Sequence, residues 1–216
     1  MRKIDKTKIL SSHYKEWEEQ FEQNQQNHGV YNSSNNPHYV DVVMNLLHVQ
    51  GGLCAYTEMK LCNTVLLEDG NWKNGKYTNR NPEILGQLDH FNPALKTGKA
   101  WLWDNFFFIH TDINTKVKGK KEVDDILKPD KPDYDVEQLL EYDSESHIFI
   151  PHSELDNDTQ ERIKKMILTL GINFDPVIDS RKKYLENNLL LKKFGLEYEI
   201  NEFPTAFEMI SNNLSN

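Results

Sequence analysis

The stretch from Gln87 to Lys121 constrains this chain more than any other. Asp89-His90 is followed by Phe-Asn-Pro, then by Trp-Asp-Asn ending at Asn105, then by Asn114 with Lys116 just beyond it. These residue types suit a reaction centre. An imidazole titrates near neutral pH, so His90 can take and return a proton. Asp89 and Asn114 carry hard oxygen atoms of the kind that hold a divalent cation such as Mg²⁺. Phe106, Phe107 and Ile109 read as a strand or turn packed beneath such a centre. Trp101 and Trp103 alternate around Leu102, which predicts one ring in the core and the other toward a groove.

Charge is distributed unevenly. The net charge of −9 argues against a protein that coats nucleic acid by itself, because phosphate binding depends on cationic contacts. Between Phe91 and Lys121, however, Lys96, Lys99, Lys116, Lys118, Lys120 and Lys121 face only Asp104 and Asp112. That local excess is a candidate electrostatic footprint for a polyanion, with Lys96, Lys99, Lys116, Lys118 and Lys120 as the expected phosphate contacts. With 38% hydrophobic residues over 216 positions, the chain can bury a real interior. Cys54 and Cys62 make no disulfide framework, which fits a reducing compartment. No apolar run of about eighteen residues occurs, and no signal-type segment follows MRKIDKTKIL. A soluble, cytoplasmic chain is expected.

Taken in order, residues 5–26 predict an amphipathic helix with Ile9, Tyr14, Trp17 and Phe21 on its buried side. Residues 23–36 are polar and predict a loop. A second helix is expected from Pro37, with Asn36 as a possible N-cap, Val40, Val43, Leu46 and Leu47 as its stripe, and Gly51-Gly52 as its stop. Residues 63–86 are rich in turn signals, and Leu66, Trp72 and Tyr77 mark short strand-like pieces. Beyond the motif come a proline-marked connector from Ile126, an alternating strand-like piece between Tyr142 and Pro151, and helices over 158–170, 176–194 and 203–213. The expected class is α+β, in three segments of one compact unit: 1–50 helical, 51–125 the motif core with a hairpin insertion, and 126–216 a mostly helical annex.

The order Asp-His-Phe-Asn-Pro, Trp-Asp-Asn-Phe, then Asn114 resembles the HNH core, the ββα-metal or His-Me finger of nucleases. In that motif a hairpin presents the acid–base histidine, a loop asparagine braces it, and a helix returns the last metal ligand. The resemblance implies His90 and Asn105 as the catalytic set, Asp89 and Asn114 as ligands of Mg²⁺ or another divalent cation, and hydrolysis of a phosphodiester. Together with Gly-Leu-Cys-Ala-Tyr-Thr-Glu at 52–58 and the late Leu-Gly-Ile-Asn…Asp-Ser-Arg segment, the chain is similar to the HNH subunit of Septu-type and retron-associated anti-phage systems, the PtuB family.

Many HNH proteins carry two Cys-x-x-Cys pairs that hold a structural zinc. The matching positions here are Cys54 and Thr57, then His110 and Ile113. Isoleucine cannot ligate a metal and threonine is a poor zinc ligand, so no tetrahedral structural zinc is expected. The family implies an ATPase partner of the SMC or ABC type (PtuA-like) and activity against invading nucleic acid, DNA ahead of RNA. Two alternatives stay open: a tRNA- or RNA-cleaving effector, and a non-catalytic HNH scaffold that binds a partner. The helices from about 155 onward are the expected docking surface, and deletion after Leu196 is expected to weaken complex formation more than it harms the isolated fold.

Overall fold

The computed structural model describes residues 1–23, 28, 31 and 36–213. Helix α1 (Ser12–Gln23) begins later than its apolar pattern predicts. Just ahead of its start, Asn45 Oδ1, on the next helix, accepts the Leu10 and Ser11 amides at 2.6 and 3.3 Å and so fixes the residues that lead into the helix. Positions 24–26 of the expected helix, and most of the expected 23–36 loop, lie outside the described residues. Helix α2 (Tyr39–Gln50) buries Asp41, Asn45 and Gln50 as well as its apolar residues, as a helix at the centre of a domain does. Asn36 does not cap it. The Asn36 side chain accepts from the His38 amide (2.8 Å) in a local turn, and the helix begins after His38. Gly51, at φ +63°, ends it in the left-handed conformation that an L side chain resists.

Strands β1 (Trp72–Lys73) and β2 (Lys76–Tyr77) form a tight hairpin through Asn74-Gly75, both at positive φ. Asp41 of α2 accepts the Tyr77 amide (2.9 Å) and binds Arg80, fixing this hairpin to the core. Strands β3 (Gln87–His90) and β4 (Phe106–Ile109) pair antiparallel, with His90 opposite Phe106 and Gln87 opposite Ile109. All four β4 side chains are buried, because the ribbon lies inside the molecule. The outer edge of β4 is closed by the last residue of α2. The Gln50 amide accepts from Phe108 N (2.9 Å) and donates to Phe108 O (2.8 Å), doing for one residue what a neighbouring strand would do. After β4 the chain makes a π turn over Ile113–Lys118, closed by Gly119 N to Asn114 O at 3.0 Å.

The rest of the chain is a short helix α3 (Val136–Leu139), the hairpin β5 (Leu140–Asp143) and β6 (Ile148–Pro151), and helices α4 (Asn157–Leu170), α5 (Asp175–Lys193) and α6 (Pro204–Asn213). The strand-like piece of the sequence is therefore one arm of a hairpin. The Leu-Gly-Ile-Asn…Asp-Ser-Arg segment locks this hairpin. Asn173 exchanges two hydrogen bonds with the Phe149 backbone (2.9 and 2.7 Å), and buried Arg181 donates to His147 O (3.2 Å) and Ile172 O (3.0 Å) beside the Phe149 ring. Burial pushes the Arg181 guanidinium down to about 10.

The architecture is α+β, with one continuous apolar core that draws on residues from 1 to 210. The last helix belongs to that core. Phe203, Ala206, Phe207 and Ile210 are core residues. Glu58, buried at φ +61°, accepts Thr205 N (3.0 Å) and Thr205 Oγ1 (2.5 Å), and its carbonyl accepts Phe203 N (3.1 Å).

Candidate active site

His90 ends β3 with its ring packed against Phe106 (centroids 5.0 Å apart) and edge-on to Tyr31 (4.8 Å). Its Nε2 lies 2.8 Å from the carbonyl oxygen of Ala100. A carbonyl can only accept, so Nε2 carries the proton of the neutral ring and the lone pair sits on Nδ1. Burial holds the His90 pKa below the ordinary 6.5, which keeps the ring in the neutral form that can act as a base. The Ala100 carbonyl is itself held in place. Tyr14 of α1 donates to Trp101 O (2.7 Å), and Glu18 of α1 accepts from Trp103 N (2.5 Å). Helix α1 thus positions the loop that sets the tautomer of His90. Both tryptophans serve this packing and both are buried, at 2% and 4% exposure, so neither faces a groove as the alternation had predicted.

Asn105 binds the loop that follows His90. Its Oδ1 accepts from Asn92 N (2.8 Å), its Nδ2 donates to Asn92 O (3.0 Å), and its own carbonyl accepts Phe91 N (2.8 Å). Asn92 in turn caps the Pro93–Lys96 turn by accepting from Ala94 N (3.0 Å). The loop from His90 to Lys96 is therefore fixed by paired hydrogen bonds.

A cleft of about 300 Å³ opens beside this loop, lined by Asp89, His90, Lys96, Asn114, Gly119 and Lys120 among others. Lys96 and Lys120 are exposed, and the Lys96 ammonium lies over the Tyr31 ring, 4.7 Å from its centroid. The other expected phosphate contacts are placed differently. Lys99 and Lys116 are exposed but lie near acids, Glu22 at 3.8 Å and Asp112 at 3.0 Å. Lys118 is not at the surface at all. Its Nζ is fully buried, 3.0 Å from Asp89 Oδ1 and 2.9 Å from His90 O. A larger groove of about 1160 Å³, running past Cys62, Val65, Asn79 and Leu85, has no histidine in its lining.

Asp89 is where the geometry departs from the expected metal ligand set. Both its oxygens already have partners, Oδ2 the Tyr56 hydroxyl (2.6 Å) and Oδ1 the Lys118 ammonium. Tyr56 comes from the Gly-Leu-Cys-Ala-Tyr-Thr-Glu segment, and burial together with the Asp89 charge raises its pKa well above 10, so it stays a donor. Asn114 Nδ2 donates to Gln87 Oε1 (3.1 Å). A divalent ion on Asp89 would meet the buried ammonium, at a repulsion of roughly 4 kcal/mol per pair of unit charges about 4 Å apart even in a medium of dielectric about 20. The residues as arranged do not fit a cation on Asp89. Among the described residues, no three His, Cys, Asp or Glu side chains gather as a metal-holding group.

Of the knuckle positions, Cys54 meets Thr57 and His110. Cys54 Sγ accepts the His110 amide at 3.4 Å, and burial pushes the Cys54 thiol up. Ile113 is buried and lies against Gly171 at the end of α4, while His110 Nδ1 accepts from Asp112 N (3.3 Å). The four positions offer one thiol and one imidazole where tetrahedral zinc takes four ligands. Counting along the sequence missed Lys118 and Tyr56 as partners of Asp89. The signal for Lys118, a lone lysine before Gly119, was too weak to separate it from its lysine neighbours. No family model matches the chain, and no curated protein matches it either.

Proposed function

We propose that the chain is a phosphodiester hydrolase of the ββα-metal (HNH) type that cuts nucleic acid, DNA ahead of RNA. As the motif resemblance implies, it would act as the effector subunit of an anti-phage complex with an SMC- or ABC-type ATPase. One observation carries the reading: a buried histidine, locked in the Nε2–H tautomer by a backbone carbonyl, borders a cleft with two exposed lysines. The β3–β4 ribbon followed by the 113–118 turn supports it as the order of parts in such a finger.

In this mechanism His90 Nδ1 takes a proton from water. The oxygen attacks phosphorus as the P–O bond to the leaving alkoxide breaks, and solvent protonates that alkoxide. Lys96 and Lys120 neutralise the phosphate charge, and Asn105 keeps the histidine loop from shifting. A divalent ion supplies further charge neutralisation in enzymes that hold one. In this chain the Asp89 position is paired to Lys118.

That same pair favours a second reading, a non-catalytic scaffold. Nicking of supercoiled plasmid and cleavage of tRNA by the purified chain decide between them. The hydrolase reading expects product from at least one substrate, with binding that weakens steeply as salt rises. Replacing both Lys96 and Lys120 by alanine should lower the log–log salt slope by about one per lysine. An unchanged slope would remove these lysines from the interface.

A further inference from the structure

We infer that Lys118 is a built-in cation, whose ammonium takes the place at Asp89 that a divalent ion would need, so that no ion joins Asp89 unless Lys118 leaves. The inference rests on the reading of Asp89-His90 as the reacting hairpin for its significance, but its geometry stands by itself. The ammonium is fully buried and has two acceptors, Asp89 Oδ1 at 3.0 Å and the His90 carbonyl at 2.9 Å. The carboxylate is equally complete, with Tyr56 at 2.6 Å on its other oxygen.

The turn explains how a lysine reaches this place. In an α-helix, residues five apart are rotated by about 140° around the axis, so Ile113 and Lys118 would face different ways. The i→i+5 turn of Ile113–Lys118 brings them onto one side, and both are buried, at 1% and 0% exposure. Ile113 is pinned against Gly171, and Lys118 then points at Asp89.

Two consequences follow for the site. Asp89 is neutralised from within, so its charge is not available to draw a metal. Lys118 also ties the His90 carbonyl, which makes it a positioning residue for the strand that presents the imidazole. Charge removal alone would leave Asp89 buried without a counter-ion, and a cation of suitable size would then be the group best able to replace the ammonium.

The test is Mn²⁺ binding, followed by the loss of the free-ion electron spin resonance signal at fixed pH, with no nucleic acid present. Wild type and Asp89→Asn are expected to bind Mn²⁺ alike. Lys118→Met is expected to gain a site at least about tenfold tighter, lost again in Lys118→Met/Asp89→Asn. Wild-type binding that Asp89→Asn abolishes would overturn the inference, as would a folded Lys118→Met that binds no better than wild type. Should a variant fail to fold, wild type alone suffices. Mn²⁺ should leave the nuclear magnetic resonance signals of Tyr56, Asp89 and Lys118 unbroadened, and selective broadening of all three contradicts the assignment. Because no cleavage is measured, failure here is separable from failure of the hydrolase reading.

Discussion

Asn105 gives both ends of its amide to one neighbour, the backbone of Asn92, and it does so from a buried position. Asn105→Asp keeps the acceptor but sets a carboxylate oxygen against the Asn92 carbonyl. We expect a loss of about 1–3 kcal/mol in urea unfolding, from one lost bond and one buried clash of acceptors. Asn105→Ala should lose less stability but free the same loop, so both variants should slow cleavage. A variant with wild-type stability would show that the loop needs no brace. At this scale the sequence was partly legible. His90, Asn105 and the cleft lysines Lys96 and Lys120 could be picked out by residue type and spacing. The partner of Asp89 could not, because whether a lysine faces inward depends on the hydrogen-bond register of a single turn.

That turn belongs to the element scale, where α4 sets it. Gly171 ends α4 at φ +67°, and a Cβ there would lie 2.8 Å from Ile113 Cδ1 and 3.2 Å from Val117 Cγ1. Gly171→Ala should therefore cost more than the 1–2 kcal/mol or so of a left-handed alanine, because it also pushes on the 113–118 turn. Equilibrium unfolding should show the loss, and the amide signals of Ile113 to Gly119 should shift. A loss confined to the α4 terminus would mean that the two elements are uncoupled. Helices α2, α4 and α5 were legible because their apolar residues recur at helical spacing around a polar face or a Gly stop. The start of α1 and the 113–118 turn were not. The residues leading into the first are fixed by Asn45 from another helix and the second is set by Ile113 against Gly171, and neither contact has a local signature.

At the scale of the whole molecule, the core is continuous from the first residues to α6, and the last helix closes it. Truncation after Leu196 removes Phe203, Phe207 and Ile210 and strips Thr205 from Glu58. Each large side chain is worth about 1.5–3 kcal/mol when fully buried, against a typical total stability of about 5–15 kcal/mol. The truncated chain should be unfolded or aggregated by circular dichroism, and a cooperative transition near that of the full chain would contradict this. Acid should weaken the fold for a separate reason. Burial holds His28, His38, His90 and His147 below the ordinary 6.5, so the unfolded chain binds more protons than the folded one near that pH. Their contribution is complete above about pH 6.5 and is lost as pH falls through the folded values, so the unfolding midpoint should drop between pH 7 and 5 or thereabouts. The most direct measurement is single-turnover cleavage of labelled duplex DNA, single-stranded DNA and tRNA at low ionic strength, by wild type and by His90→Ala. Wild type is expected to cut at least one substrate, and His90→Ala to cut it at least about 100-fold more slowly. Equal rates, or a wild type inert toward all three, would contradict the hydrolase reading.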